Sequence, residues 1–449
     1  MTSKNLNNPS GISLQGVDDK SAFPNTRDEP LLDSEKGQDS SPAKTLMGKI
    51  IYMGLCFLLL NTASHCQNLL SQIYEQLGYN SLGTTVLLLQ SLCYAIGILT
   101  VPGVIKNWEY KRGINIGVLG YIVVLVAGAM TTACGVNKEL AWCQQSLYIY
   151  GSNLIFALVH GVTSPMLWLS GIRYICSCAS REQKGQATGL FIALFSGFMI
   201  LGGIVSKVTI TRFGSFGYYL ISAGLACISL VMFMVAPHVK KAKEEDAEEK
   251  PIEKTKKILK LIIGPRMRVL LPYMLYLGFL NAMVAAFQYK LIKNTDSTMS
   301  PEELNKISAN VSLWQGIIST SSSVVAGKLA DILKRKTSLS LFNVLHVIAV
   351  VLAFLSYFEK NLVLVYVTAI LWGVGIFGAN TVLATVMAKD FKGSIESFAI
   401  PQIVIPTTTT FGYGLCYLPQ VVIVLIILAC FAGLSVICTS LYKAKEEDE

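Results

Sequence analysis

The sequence predicts an all-α polytopic membrane protein with twelve transmembrane helices in two pseudo-symmetric six-helix bundles, and three observations predict it. The 449 residues are 52% hydrophobic and only 14% charged, with a mean hydropathy of +0.52, too apolar for a water-soluble protein of this size. The apolar runs are about twenty residues long, the length a helix needs to cross hydrocarbon with its backbone groups satisfied. They also fall into two series of six, divided by one charged linker.

Residues 1–45 are rich in Ser, Asn, Asp and Gly and lack the basic segment followed by an apolar segment that marks a signal peptide, so they read as a disordered cytosolic tail. Within it, Asp28-Glu29-Pro30-Leu31-Leu32 is similar to an acidic dileucine sorting signal, but Arg27 stands where that signal carries an acid. The first bundle, 46–237, has spans near Ile50–Leu70, Leu82–Val104, Ile114–Cys134, Leu147–Leu169, Thr188–Val208 and Tyr218–Ala236. After a linker over 238–268, the second bundle, 269–441, has spans near Val269–Tyr289, Ile307–Ala330, Leu339–Tyr357, Leu362–Met387, Phe398–Cys416 and Pro419–Leu441. An acidic tail, 442–449, closes the chain.

The net charge of +9 does not point to nucleic acid, because the basic residues sit in short loops between apolar runs. One set of loops carries Lys106, Lys111, Arg112, Arg173, Arg181, Lys184, Lys334, Arg335, Lys336, Lys389 and Lys392 besides the linker lysines, and the opposing set carries fewer. The positive-inside bias then puts both termini and the linker in the cytosol. Residues Ile252 to Ile262 of the linker separate apolar from basic positions, the pattern of a helix lying on an anionic leaflet. The Asn310-Val311-Ser312 sequon lies at the mouth of a span, where glycosylation is hindered.

Of eleven cysteines, seven lie inside apolar segments and read as packing residues. Cys134 and Cys143 instead bracket a short loop on the oxidising side. They could pair there, but spacing alone does not fix the geometry a disulfide needs.

Gly327-Lys328-Leu329-Ala330-Asp331-Ile332-Leu333-Lys334-Arg335-Lys336 falls where the eighth span meets its loop. It resembles the loop signature of the major facilitator superfamily, in which Gly, Leu-Ala-Asp and a final basic pair recur at these spacings, with Gly allowing close helix approach and Asp available to cap a helix or pair with Arg. The loop after the second span carries a relic: Gly103 aligns with Gly327, Lys111 and Arg112 with Arg335 and Lys336, and Asn107 replaces Asp331. Asn61 and Asn68 in the first span likewise mirror Asn281 and Gln288 in the seventh. Two such correspondences indicate an internal duplication.

Asn61, His65, Asn68 and Gln72 follow one another at helical spacing, as do Asn281 and Gln288, so each helix carries one polar stripe. The major facilitator likeness implies that the first and seventh spans line a central cavity, which makes Asn61, His65, Asn68, Asn281 and Gln288 the candidate cavity residues. The competing reading is interhelical hydrogen bonding, worth roughly 0.6 to 2 kcal/mol per group. No Asp, Glu, Lys or Arg falls mid-span, where a proton-coupled transporter usually keeps a carboxylate. The sequence has no phosphate-cradling loop, no metal-ligand spacing and no nucleophile beside a base, so no enzyme activity, cofactor or metal is expected. Pro401 and Pro406 predict a bend in the eleventh span, with Thr407 to Thr410 able to satisfy freed carbonyls.

Cys66-Gln67-Asn68-Leu69-Leu70-Ser71-Gln72-Ile73-Tyr74, followed by Leu77-Gly78-Tyr79 and Leu82-Gly83, resembles the opening of the Unc-ninety-three family, a divergent major facilitator branch. Ser164 to Tyr174 and Gly185 to Gly203 are similar to that family's fourth and fifth spans. The resemblance implies a non-enzymatic regulator or trafficking partner of another membrane protein, such as a potassium channel or receptor. The alternative expectation is a transporter of a small neutral or weakly polar solute. Lipid is a partner in either case, and nucleic acid in neither.

Overall fold

The computed structural model describes residues 42–443 except 106–107, 179–183, 240–250, 392–394 and 419, and the side chains of 42–45, 102–103, 176, 184–189, 251–255, 331 and 395 are likewise outside the description. Asn107, the Asp331 side chain, most of both tails and much of the linker therefore lie outside the described residues.

The first half contains α1 (Pro42–Ser64), a 3₁₀ turn (His65–Leu69), α2 (Leu70–Gln76), α3 (Leu82–Ile105), α4 (Tyr110–Val136), α5 (Ser146–Ser177), α6 (Lys184–Ser196) and α7 (Phe198–Val235). The linker contributes α8 (Pro251–Ile263). The second half contains α9 (Pro265–Ala286), α10 (Gln288–Thr295), α11 (Pro301–Ile332), α12 (Arg335–Phe358), α13 (Leu362–Gly373), a π turn (Val374–Gly378), α14 (Ala379–Asp390), α15 (Ile395–Leu415) and α16 (Val421–Ser440).

Among the described residues nine helical stretches are long and apolar enough to cross a membrane. One of them, Leu190–Val235, is two passes. Its backbone leaves the helical region at Gly214 (φ 66°, ψ −173°), a conformation open to glycine and closed to residues with a Cβ. Gly202 and Tyr218 both reach His65, although an unbroken helix would hold them about 24 Å apart. Farther out, Leu194 meets Gly54 while Ser229 donates to the Cys56 carbonyl, so the chain runs along α1 and returns beside it. The helices α11 and α15 are long enough to span but fall outside the apolar nine, because one carries a run of Ser, Asn and Gln and the other Thr407 to Thr410. With these the chain makes twelve passes.

The duplication is visible in the backbone. In the register that aligns Asn61 with Asn281, Phe287 falls opposite Gln67, the middle of the 3₁₀ turn, and Phe287 is where α9 breaks into α10 (φ −123°, ψ −29°). The first pass of each half is thus interrupted at one level. Close helix packing depends on small residues: a Cβ on Gly117 would lie 2.4 Å from Leu167 Cβ, and one on Gly120 1.9 Å from Thr163 Oγ1, which brings α4 and α5 together. The side where α1 and α9 begin is called the termini face below, and the side where α2 and α10 end the far face.

Cys134 and Cys143 are joined by a disulfide at the far face, with Cα atoms 5.4 Å apart. It ties the end of α4 to the short turn ahead of α5.

Candidate functional site

The 3₁₀ turn governs where the first polar stripe points. Each residue of such a turn rotates about 120° rather than 100°, so five of them displace everything beyond by roughly 100°. Asn61, before the turn, is buried and donates to the Phe57 carbonyl of its own helix at 2.8 Å. His65 is buried among the passes of the first half, where the Tyr218 hydroxyl stands 3.5 Å from Nδ1 and a Cβ on Gly202 would collide with its ring. Gln67, next along, approaches the imidazole of His160 on α5 at 3.5 Å. Asn68 and Asn281 are half-buried. Gln288 is buried, and its Oε1 meets no partner among the described residues.

Beyond the turn the stripe reaches the other half. Gln72 donates to Asn305 on α11, and Asn305 in turn donates to Gln76 at 2.9 Å. Glu75 accepts a hydrogen bond from the Tyr289 hydroxyl and lies 3.6 Å from the Lys293 ammonium. The tips of the two interrupted passes therefore meet each other at the far face. Beside them opens a cavity of about 640 Å³ lined by Glu75, Tyr289, Lys290, Lys293, Tyr357 and Lys360, among others. Lys290 is fixed there by donating to the Cys416 carbonyl at 2.8 Å.

At mid-depth the halves touch through smaller groups. A Cβ on Gly316 would lie 2.4 Å from the Met199 carbonyl oxygen, and Thr320 donates to the Ser196 carbonyl at 3.0 Å. Tyr94 donates to Gln402 at 3.1 Å. Phe195 and Phe198 of the first half pack on Phe377 of the second with ring centroids 6.0 and 5.9 Å apart, and Trp168 stacks edge-on against Phe195. Phe377 sits in the π turn, a backbone irregularity of the kind that gathers at functional sites. The seam between the halves is thus aromatic at its middle and polar at its far end.

At the termini face the described part of the loop signature takes part in a buried ion pair. Gly327 is in ordinary contact with Thr381. Arg335 pairs with Asp390, Nε to Oδ1 at 2.6 Å, with the two side chains 7% and 0% exposed. The Tyr442 hydroxyl donates to the other oxygen of Asp390. Burial and that hydrogen bond push the Tyr442 hydroxyl well above its ordinary pKa, against the opposing pull of Arg335 and Arg266, so it remains a donor. In the relic loop, Gly103 lies in the last turn of α3, the Arg112 guanidinium lies 4.7 Å over the Trp108 ring, and Lys111 donates to the Met234 carbonyl at 3.4 Å. Lys336 is half-buried at the start of α12.

The profile of the Major Facilitator Superfamily matches residues 51–400. The chain belongs to the major facilitator superfamily. Its backbone is also similar to the crystal structure of a mutant of the nucleoside transporter NupG, with a TM-score of 0.62 and 15% identity, over 88% of this chain and 98% of that one. No curated protein sequence matches. Membership accounts for the twelve passes and the two halves.

The Asp331 side chain lies outside the described residues, and the acid found against Arg335 is Asp390, at the end of the tenth pass. The available signal was a carboxylate directly after a long apolar run, next to Lys389. The Arg335–Asp390 pair lies at the ends of the ninth and tenth passes, not in their middles.

Proposed function

We propose that this protein is a transporter that carries a small neutral or weakly polar solute through the seam between its two halves. The observation that carries the reading is the closure at the far face, where Glu75, Tyr289 and Lys293, with Gln72, Gln76 and Asn305, join the tips of the two interrupted passes. These are side-chain contacts at a seam: the Glu75–Lys293 pair is partly exposed and individually weak, while Gln72, Asn305 and Tyr289 are buried, and all can separate without disturbing the core of either half. Behind them the aromatic wall of Trp168, Phe195, Phe198 and Phe377 offers rings to stack on, and Asn68, Asn281 and Gln288 offer amides for hydrogen bonds. The similarity to a nucleoside transporter supports solutes with both a planar ring and hydroxyls as the first to try. With the loop charges counted as above, the termini face is the cytosolic one and the structure is closed toward the outside.

The test is uptake of labelled neutral solutes by vesicles holding the purified protein, with thermal stabilisation by the same solutes in detergent. Uptake lost in an Asn68→Leu, Asn281→Leu double variant of normal melting temperature supports the site. Uptake unchanged in that variant removes these residues from it, and a panel with neither uptake nor stabilisation removes the transporter reading.

A second reading rests on the Unc-ninety-three likeness over Cys66 to Tyr74 and Ser164 to Tyr174: a subunit that regulates or escorts another membrane protein. Purification in mild detergent without any stoichiometric membrane partner counts against it.

A further inference from the structure

The linker helix α8 is built with three sides. Ile258, Leu261 and Ile262 are partly buried against the core, and α8 packs on α15 and α9 and reaches α3. With 100° per residue, Leu259 and Ile263 fall together on the adjoining side, where they are 51% and 70% exposed. Lys256 and Lys260 follow on the next side, and both are exposed. Going round the helix one therefore meets protein, then an uncovered apolar strip, then a row of ammonium groups. In water the middle strip would be a liability. At a membrane surface the order is the stable one: the strip enters the acyl boundary and the lysines reach up to headgroup phosphates.

We propose that α8 is a docking surface for anionic phospholipid, with Leu259 and Ile263 embedded at the acyl boundary and Lys256 and Lys260 on the headgroups. The occupant follows from charge complementarity and the apolar strip together, since lysines alone would suit any anion whereas the strip needs acyl chains. Because α8 rests on α9 and α15, bound lipid acts on the seventh and eleventh passes, both of which meet the other half. The proposal is independent of what the protein carries.

The test uses the full-length protein in mild detergent, melted with short-chain phosphatidylserine, short-chain phosphatidylcholine or inorganic phosphate. Phosphatidylserine is expected to raise the melting temperature and the other two to leave it unchanged. Lys256→Gln with Lys260→Gln should require roughly thirtyfold more phosphatidylserine for the same rise, at about a tenfold factor for every 1.4 kcal/mol and about 1 kcal/mol per lysine. Leu259→Ser with Ile263→Ser, which leaves the charges in place, should weaken the response as well. All four positions are exposed, so both variants should melt like the parent without lipid. An equal response to inorganic phosphate, or a phosphatidylserine response unchanged in either variant, overturns the proposal.

Discussion

The two halves of the chain solve the same corner differently. Where the third pass begins and the fourth ends, the first half joins uncharged groups: Tyr110 and Ser177 share a hydrogen bond of 2.8 Å, and Tyr174 donates to the Pro237 carbonyl at 2.9 Å. At the matching corner of the second half, Arg335, Asp390 and Tyr442 form a buried ionic cluster. Among the described residues Lys111, which aligns with Arg335, donates to the Met234 carbonyl. A buried ion pair adds little net stability over a packed apolar pair, but losing one partner strands the other charge. Among the described residues the second half therefore has a buried charge to strand at the termini face, whereas the bonds Tyr110–Ser177 and Tyr174–Pro237 of the first half are between uncharged groups. The disulfide reverses the pattern at the far face, where it staples the first half.

The largest effect expected from breaking this comparison is at Asp390. Asp390→Asn or Arg335→Ala should destabilise the protein by about 3–5 kcal/mol, and Arg335→Met with Asp390→Leu should recover most of the loss. Thermal melting of the purified variants checks this, and single variants no worse than the double would show that the pair does not behave as a buried one. Next, reduction of the Cys134–Cys143 disulfide should remove about 2–4 kcal/mol, read as a fall in melting temperature on adding reductant, with a Cys143→Ser variant insensitive to it. Gly316→Ala places a methyl group on the Met199 carbonyl and should cost about 1–3 kcal/mol, with a larger loss of uptake than of stability because it pries the halves apart.

At the uncharged corner, Tyr110→Phe should cost only about 0.5–1.5 kcal/mol. A loss as large as that of Asp390→Asn would erase the contrast between the halves. The smallest change in stability is expected for Glu75→Gln, under about 1 kcal/mol, because Glu75 and Lys293 are 38% and 55% exposed. Its effect should instead appear as faster thiol labelling of a cysteine placed at Asn305, reporting more frequent opening of the far face.

The passes were legible in the sequence because the length of an apolar run is a local property and the bilayer sets its scale. The two series of six were legible for the same reason, since one charged linker divides the apolar runs. What the residues could not announce was a change of helical pitch. An even spacing of Asn61, His65, Asn68 and Gln72 describes one face only if every residue turns by 100°, and the 3₁₀ segment over His65–Leu69 breaks that condition, turning Gln72 away from the face of Asn61 and His65 and toward Asn305. Nor could spacing find the partner of Arg335, since Asp390 comes from another helix altogether. Local patterns report which groups need a partner, and the packing of distant helices decides which partner they get.

The turn at Gly214 has no slack. A single residue joins two full passes, so tilting one pulls directly on the other. Both arms lie on the first pass, through Gly202 and Tyr218 against His65, and the first arm also lies on α11 across the seam, through Gly203 against Leu313. Fifth and sixth passes thus form a fork that straddles the first pass, with one prong also resting on the other half. Lengthening the turn by a few flexible residues would uncouple the prongs while leaving every contact in place.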